Sequence, residues 1–455
     1  MKKFLKVLEP PLRYAYYSIP DYLRYGKLFR EKYNYLEKSQ YYSEEKNKQK
    51  QLKMLQDLIK HSYETVPYYR KLFNELQLKP KDIKSLEDIK KIPYLTKEII
   101  RDNYNELLSN QYSKDCLRTV RTGGSTGEPL SFYVEDYKDR AIEWAYVSHL
   151  WSRVGYNVRK VNKRVILMGE QINSGLFHYK NRDLIMSSFK LTEHNIPEYL
   201  KEIEKYNPDF IHCYPSSIFI IAKFIIENRY TINLKNLKAI LCVSENLSEM
   251  QREAIYEAFN KRVYSFYGHS EHACIAGECE KSELYHIEPF YGYTELINDG
   301  KEVKQEGELG EIVSTSFLNY AMPFIRYRTG DIAINTNKKC ECGREYKIIK
   351  KIEGREQEFI VTKSGNKVML TGSYKILHGL NNKIFAGQFY QDTEGILILK
   401  IVPRNIYQAE DADYIYKEFR EKFGNEIKLK VEKVASIERT NSGKFKFLIQ
   451  KLQVK

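Results

Sequence analysis

Between residues 135 and 265 short apolar runs alternate with amphipathic stretches. Val165–Met168, Phe210–Cys213, Ala239–Val243 and Val263–Tyr267 are four- or five-residue apolar runs that predict buried strands. Ile196–Tyr206, Ile218–Asn228 and Glu249–Asn260 carry apolar residues at helical spacing between them. Strands alternating with helices predict an α/β layered domain with a largely parallel sheet. Upstream, residues 41–78 read as helical, with Leu52, Leu55, Leu58 and Ile59 among Lys, Gln and Asp, until Pro67 breaks the pattern. Lys79–Lys91 reads as a lysine-rich linker. From 283 to 335, Gly300, Gly307, Gly310 and Gly330 separate short strand-like pieces such as Gly310–Ser314, which predicts a β-rich subdomain. After Gly354 a smaller unit begins, with strands at Phe359–Thr362, Ile396–Val402 and Ile427–Val434 and a helix at Ala409–Phe423. The expected architecture is α/β: a large N-terminal domain over 1–354, layered with its β subdomain, and a small mobile α+β domain over 355–455.

At 455 residues, 42% hydrophobic and 29% charged, the chain has the composition of a folded multi-domain protein. Its formal charge of +14 reflects mostly a surface on which Lys and Glu alternate. The C-terminal stretch is more lopsided: Lys428, Lys430, Lys433, Arg439, Lys444, Lys446, Lys451 and Lys455 face Glu432 and Glu438 alone. Such a region can attract phosphates without any nucleic acid, and no nucleic-acid-reading module is visible. No apolar run reaches the about 18–20 residues of a membrane helix. Met1–Pro11 starts like a signal peptide, but Lys6 and Glu9 interrupt it and Pro10-Pro11 ends it, so a cytoplasmic location is expected. Seven cysteines then point to thiols or metal ligands rather than disulfides.

Two distant loops carry the candidate chemistry. Thr122-Gly123-Gly124-Ser125-Thr126-Gly127-Glu128-Pro129 is rich in glycine and hydroxyls, which lets the backbone approach a polyphosphate and aim its N–H groups at it. No Gly-Lys-Ser/Thr follows, so it is not a kinase-type phosphate loop. Thr440-Asn441-Ser442-Gly443-Lys444 offers one lysine as a point charge for a phosphate in reaction. Between them, in order, stand Tyr267-Gly268-His269-Ser270-Glu271, Tyr327-Arg328-Thr329-Gly330-Asp331 and Gly354-Arg355. Singly, each has a bland reading, such as a turn residue for Asp331 or a helix-start carboxylate for Glu271. Together the two distant loops suggest a nucleotide-using enzyme whose site is closed by a separate C-terminal piece.

This order and spacing resemble the adenylate-forming superfamily of acyl-CoA synthetases, peptide-synthetase adenylation domains and luciferases. Within it the chain looks most like the phenylacetate–CoA ligase branch and its CapK-type relatives linked to capsular polysaccharide biosynthesis. The likeness spans nearly the whole chain, including His61-Ser62-Tyr63-Glu64-Thr65-Val66-Pro67-Tyr68-Tyr69-Arg70. It implies that Ser125, Thr126 and Gly127, within the loop from Thr122 through Gly123 and Gly124, hold the β- and γ-phosphates of ATP. Ser244, Glu245 and Asn246 would line the adenine pocket, and Tyr267 and Gly268 would lie against adenine and the acyl group. Ser270 would meet the α-phosphate and Glu271 would bind Mg²⁺, a hard cation that takes carboxylate oxygen. Asp331 would accept from the ribose hydroxyls, Arg355 would reach ribose or phosphate, and Lys444 would neutralise charge during adenylation. His269 is expected to shape the pocket and not to act as a base, since a carboxylate substrate is already ionised near neutral pH. The chain departs from the family in having Leu130 after Pro129 where Lys is usual, and Gln357-Glu358 where a hinge aspartate is common.

A separate signal is Cys340-Glu341-Cys342-Gly343, a compact turn able to present two thiolates, together with Cys279 and His286. Three Cys and one His suit a closed structural Zn²⁺ site; the alternative is four unrelated reduced side chains. A cluster of this kind occurs in some phenylacetate–CoA ligase relatives. His212 is expected to be a satisfied strand-end residue. The expected function is ATP- and Mg²⁺-dependent activation of a carboxylic acid to acyl-AMP, followed by transfer to the thiol of coenzyme A. The runner-up transfers the acyl group to a sugar or amine, and homodimers are common in the similar branch.

Overall fold

A computed structural model describes residues 15–122, 129–355, 359–370, 379–380, 383–440 and 443–452. Helices longer than six residues and all strands are numbered in chain order. Helix α1 (Gly26–Ser39) is followed by α2 (Glu44–Thr65) and α3 (Pro67–Glu75). Ser43 caps α2 through Lys46 N (3.3 Å), with Glu44 and Glu45 in the first turn favouring the helix dipole. Val66 is extended before Pro67, which stops α2 and opens α3 at its first position.

Residues 79–91 are a packed segment instead of the expected linker. They form two 3₁₀ turns, Pro80–Asp82 and Leu86–Lys91, and bury Ile83 and Ile89 against Leu55, Leu58 and Ile59. The lysines there hide two apolar anchors because their own heads stay in water.

Strands β1 (Arg118–Arg121) and β2 (Ser131–Val134) pair antiparallel, and the glycine-rich stretch lies between them in sequence. Helix α4 (Asp136–Ser152) then leads to β3 (Arg164–Met168), β4 (Phe177–Lys180), β5 (Asp183–Ser187), α5 (Ile196–Tyr206), β6 (Phe210–Cys213), α6 (Pro215–Glu227), β7 (Ala239–Cys242), α7 (Glu249–Phe259) and β8 (Arg262–Gly268). Strands β5, β3, β6, β7 and β8 are parallel neighbours in that order. Alternate residues face opposite layers. Val165, Leu167, Ile211, Cys213, Ile240 and Cys242 pack with Tyr199, Leu200, Ile203, Ile218 and Ile221 of α5 and α6. Phe210, Ala239, Leu241 and Tyr264 pack with Tyr146, Leu150 and Trp151 of α4 and with Phe29 and Tyr33 of α1. Burial on both faces explains why these strands read as unbroken apolar runs.

The β subdomain continues the same sheet. Strands β9 (Ile275–Gly277), β10 (Tyr285–Ile287), β11 (Gly292–Asn298), β12 (Lys301–Glu302), β13 (Leu309–Ser316), β14 (Tyr327–Asn335) and β15 (Ile348–Arg355) extend it to thirteen strands in the order β12-β11-β13-β14-β15-β10-β9-β8-β7-β6-β3-β5-β4. Strand β8 is the joint: Arg262–Ser265 pair parallel with β7, and Phe266–Gly268 pair antiparallel with β9.

Beyond Arg355 lie a small hairpin, β16 (Phe359–Val361) and β17 (Lys367–Met369), and a separate sheet of β18 (Ile384–Thr393), β19 (Ile396–Pro403), β20 (Lys428–Lys433) and β21 (Leu448–Gln450). Its order is β20-β19-β18-β21, and helix α8 (Ala409–Phe423) connects the parallel pair β19 and β20. Ile415 and Phe419 of α8 pack on Phe389, Leu397, Leu399 and Ile401.

Candidate active site and metal centre

The candidate residues gather along the edge formed by the C-terminal ends of the parallel strands. At the sheet's joint, β8 ends at Tyr267-Gly268 and the chain turns through His269, Ser270 and Glu271. Tyr267 Oη donates to Asp331 Oδ2 (2.8 Å), and Tyr327 Oη donates to Glu271 Oε1 (2.8 Å). The β8 segment thus supplies a donor to β14, and β14 returns one to the β8 segment. His269 Nε2 accepts from Cys274 N (3.3 Å), so Nδ1 carries the proton and donates to Glu271 Oε2 (3.1 Å). Burial alone would raise the Glu271 pKa, but His269 and Tyr327 hold it down at about 2. A buried, permanently ionised carboxylate with both oxygens positioned fits a hard divalent cation such as Mg²⁺.

Asp331 is buried, its N–H accepted by Thr329 Oγ1 (3.1 Å), in a stretch where Gly330 has φ +77°. Arg355 pairs with Asp331 across β14 and β15; its side chain lies outside the described residues. Ser270 and Gly268 are exposed beside this assembly. His272, next along, places Nδ1 2.7 Å from Asp139 Oδ1, and Arg118 of β1 donates to Asp139 Oδ2 (2.8 Å). Burial would lower the His272 pKa, yet Glu143 and Asp139 raise it to about 9. This imidazolium escaped the sequence reading because its acids lie on α4, more than a hundred residues earlier.

Gly123, Gly124, Ser125, Thr126 and Gly127 lie outside the described residues, but the neck of their loop is defined. Thr122 N donates to Leu130 O and Leu130 N to Thr122 Oγ1, both at 2.9 Å. Leu130 itself is 1% exposed and packs in the core under α2 and α3, which accounts for an apolar residue where the family usually has lysine.

The tail loop reaches the same edge. Gly443 sits against the ends of β3 and β5: a Cβ there would lie 2.6 Å from Gly169 Cα and 2.7 Å from Ser188 Oγ. Ser188 Oγ donates to Gly443 O (3.2 Å), and Phe445 N donates to Glu245 Oε1 (2.8 Å). Lys444 is thereby seated where β3 and β6, adjacent strands, send their connections in opposite directions. In open α/β sheets this switch point is where ligands bind. Ser244 and Asn246 are exposed beside it, while the Glu245 carboxylate is taken up by backbone N–H groups, Ser216 N (3.0 Å) as well as Phe445 N.

His212 does not match its expected satisfied state. Its Nε2 is buried with no hydrogen-bond partner among the described residues, its ring meets Trp151 edge-on at 4.8 Å, and burial pushes its pKa down to about 3.

At the far side of β9 and β10, Cys279, His286, Cys340 and Cys342 place their ligand atoms within 4.8 Å of one another. Cys279 Sγ is 3.5 Å from Cys340 Sγ, and Cys342 Sγ is 3.3 Å from His286 Nε2. Tetrahedral Zn–S bonds of about 2.3 Å put sulfurs about 3.8 Å apart, so small outward shifts admit the ion. His286 Nδ1 donates to Leu284 O (3.0 Å), which leaves Nε2 as the free lone pair, and Lys281 N and Ser282 N donate to Cys279 Sγ at 3.3 and 3.2 Å. Gly343, at φ +78°, makes the tight turn after the second cysteine of the pair. The donor set fits a closed zinc site.

Residues 360–451 match the model of the CapK C-terminal domain. Protein CapK of Staphylococcus aureus is 26% identical over 351 residues, 75% of this chain and 76% of that protein. The phenylacetate–coenzyme A ligase of Thermus thermophilus is 26% identical over 329 residues, covering 71% and 73%. Among solved structures, 2-hydroxyisobutyryl-CoA ligase in its postadenylation state with 2-HIB-AMP superposes with a TM-score of 0.71 at 18% identity, covering 91% and 92% of the two chains. The same ligase in the thioesterification state gives 0.58. The fold is therefore the one seen in 2-hydroxyisobutyryl-CoA ligase, the tail matches the CapK C-terminal domain, and over about three quarters of its length the chain is similar to CapK and the phenylacetate–CoA ligases.

Proposed function

We propose that the protein joins a carboxylic acid to the α-phosphate of ATP, releasing pyrophosphate, and then passes the acyl group from AMP to the thiol of coenzyme A. The observation that carries this reading is the seating of the Lys444 loop on the strand edge that also presents Glu271 and Asp331. In the first step the substrate carboxylate oxygen attacks the α-phosphorus and the bond to the pyrophosphate oxygen breaks. Lys444 balances the negative charge that builds between the two anions, and Ser270 meets the α-phosphate. Asp331, held by Tyr267, orients the ribose, while the loop beyond Thr122 holds the leaving phosphates. Glu271 would hold Mg²⁺, which neutralises phosphate charge when bound. In the second step the thiol sulfur attacks the acyl carbon and AMP leaves. The chain divides after Gly354, and the unit over 355–455 moves between the two steps, withdrawing Lys444.

A zinc held by Cys279, His286, Cys340 and Cys342 would be structural: all four positions would be protein ligands, with none open for catalysis. No described helix is long and apolar enough to cross a membrane, in keeping with work in the cytoplasm, as a monomer or homodimer. The test is pyrophosphate release from ATP across a panel of aromatic, fatty and amino acids, with and without coenzyme A. An acid that releases pyrophosphate and yields a thioester supports the reading; no acid-dependent release ends it. A second reading, favoured by the CapK match over 360–451, replaces coenzyme A by a sugar or amine acceptor. It predicts acid-dependent pyrophosphate release with no thioester formed.

A further inference from the structure

Glu245 follows a short turn after β7 in which Ser244 adopts φ +69°, a backbone state that non-glycine residues rarely hold without a reason. The turn brings the carboxylate over the first turn of α6. There Oε2 accepts from Ser216 N at 3.0 Å, a contact within the large domain. Oε1 accepts from Phe445 N at 2.8 Å, a contact from the tail, one residue beyond Lys444. The same hairpin is braced from the other side: Arg439 Nη1 donates to Ser217 Oγ (3.4 Å) and to Gly443 O (3.1 Å). Within the hairpin, Arg439 bridges Phe445, Thr440 N donates to Lys444 O (2.9 Å) and Lys444 N donates to Thr440 Oγ1 (3.1 Å). These bonds tie Arg439 and Thr440 to Lys444 and Phe445, so holding Phe445 holds Lys444, about 3.8 Å along the backbone.

We infer that Glu245 is a positioning residue that seats the Lys444 hairpin for the first half-reaction, one oxygen anchored to α6 and the other offered to the tail. The inference rests on the two-step reading above. A carboxylate is suited to the task because both its oxygens only accept, and hydrogen bonds to a charged acceptor are stronger than neutral ones. A glutamine of the same shape has one accepting oxygen, and its NH₂ would oppose an N–H donor from either Ser216 or Phe445. When the tail withdraws, Oε1 turns to water, so the contact is reversible.

The experiment compares wild type with Glu245→Gln and Glu245→Asp in two separated half-reactions, pyrophosphate release from ATP and acid, and thioester formation from supplied acyl-AMP. Amide hydrogen exchange at Phe445 in the ligand-free protein is measured alongside. The expected result for Glu245→Gln is a loss of about tenfold or more in pyrophosphate release, thioester formation within about twofold of wild type, and faster exchange at Phe445. Glu245→Asp, which keeps two acceptors on a shorter stem, should fall between the two. Equal loss in both half-reactions, or a loss expressed wholly as a raised KM for ATP, would overturn the inference, the latter by making Glu245 a nucleotide contact. Unchanged exchange at Phe445 would overturn it too. Faster exchange in Glu245→Gln together with a wild type that adenylates no acid would uphold the seating contact and overturn the enzymatic reading instead.

Discussion

The hydroxyl of Tyr327 lies 2.8 Å from Oε1 of Glu271, joining the first residue of β14 to the turn after β8 although three strands stand between them in the sheet. Its counterpart, Tyr267 to Asp331, runs the other way. The carboxylate proposed to bind metal and the one proposed to orient ribose are thus held by each other's strand, so neither can drift without the other. Tyr327→Phe removes one charged hydrogen bond and should cost about tenfold in kcat/KM for pyrophosphate release, with a raised Mg²⁺ requirement. A titration of rate against Mg²⁺ concentration checks it; an unchanged Mg²⁺ profile would leave the tyrosine a packing residue.

Lys444→Ala should reduce acyl-AMP formation by about a hundredfold or more, the usual scale for losing one preorganised charge at a reacting phosphate. Thioester formation from supplied acyl-AMP should be nearly untouched. Comparable losses in both assays would refute the two-pose mechanism.

Gly443 has φ +75° and a neighbour, Gly169, whose Cα would stand 2.6 Å from a new Cβ. Gly443→Ala therefore meets backbone, which cannot step aside. The variant should fold with a stability loss of about 1–2 kcal/mol yet lose most pyrophosphate release, because the tail loop no longer seats against β3. Thermal denaturation and the release assay, taken together, separate the two effects.

His272 has a folded pKa of about 9, above its ordinary 6.5, because Glu143 and Asp139 outweigh its burial. Its contribution to stability is complete below pH 6.5 and disappears as the pH rises through 9. Denaturant unfolding should show stability falling between pH 7 and pH 9.5, and His272→Gln should flatten that slope. Glu271 behaves in the opposite sense. Its contribution is complete above the ordinary 4.5 and is lost only as the pH falls towards about 2, so it stays ionised across any working range.

Purified protein should carry about one zinc per chain by elemental analysis, and Cys340→Ser with Cys342→Ser should abolish it. The doubly substituted protein should melt roughly 5–10 °C lower. A wild type free of metal after zinc-supplemented expression would instead mean four reduced, unrelated side chains.

Several elements could be read directly from the chain. Phe210–Cys213, Ile196–Tyr206 and Ala409–Phe423 lie where their periodicity puts them, because each buries a face whose repeat is written in consecutive residues. Helix α4 could not be read this way. It buries Ala145 through Trp151 without interruption, so it has no polar stripe to mark its period. The hairpin of β4 and β5 turns at Asn181 and Arg182, both with positive φ, and arginine gives no warning of that conformation.

By itself the sequence determined the alternation of strands and helices from Ile196 to Tyr267, the helix at Ala409–Phe423 and the succession of motifs from Thr122 to Lys444, since each of these is written in short runs of consecutive residues. Only the tertiary structure decided that Tyr327 holds Glu271, that Asp139 and Glu143 charge His272, that Ile83 and Ile89 anchor a lysine-rich stretch, and that Glu245 receives the tail. Those pairings join positions tens to hundreds of residues apart. Strand order and layer packing choose them, and no periodicity along the chain records which side chains will meet across a sheet edge.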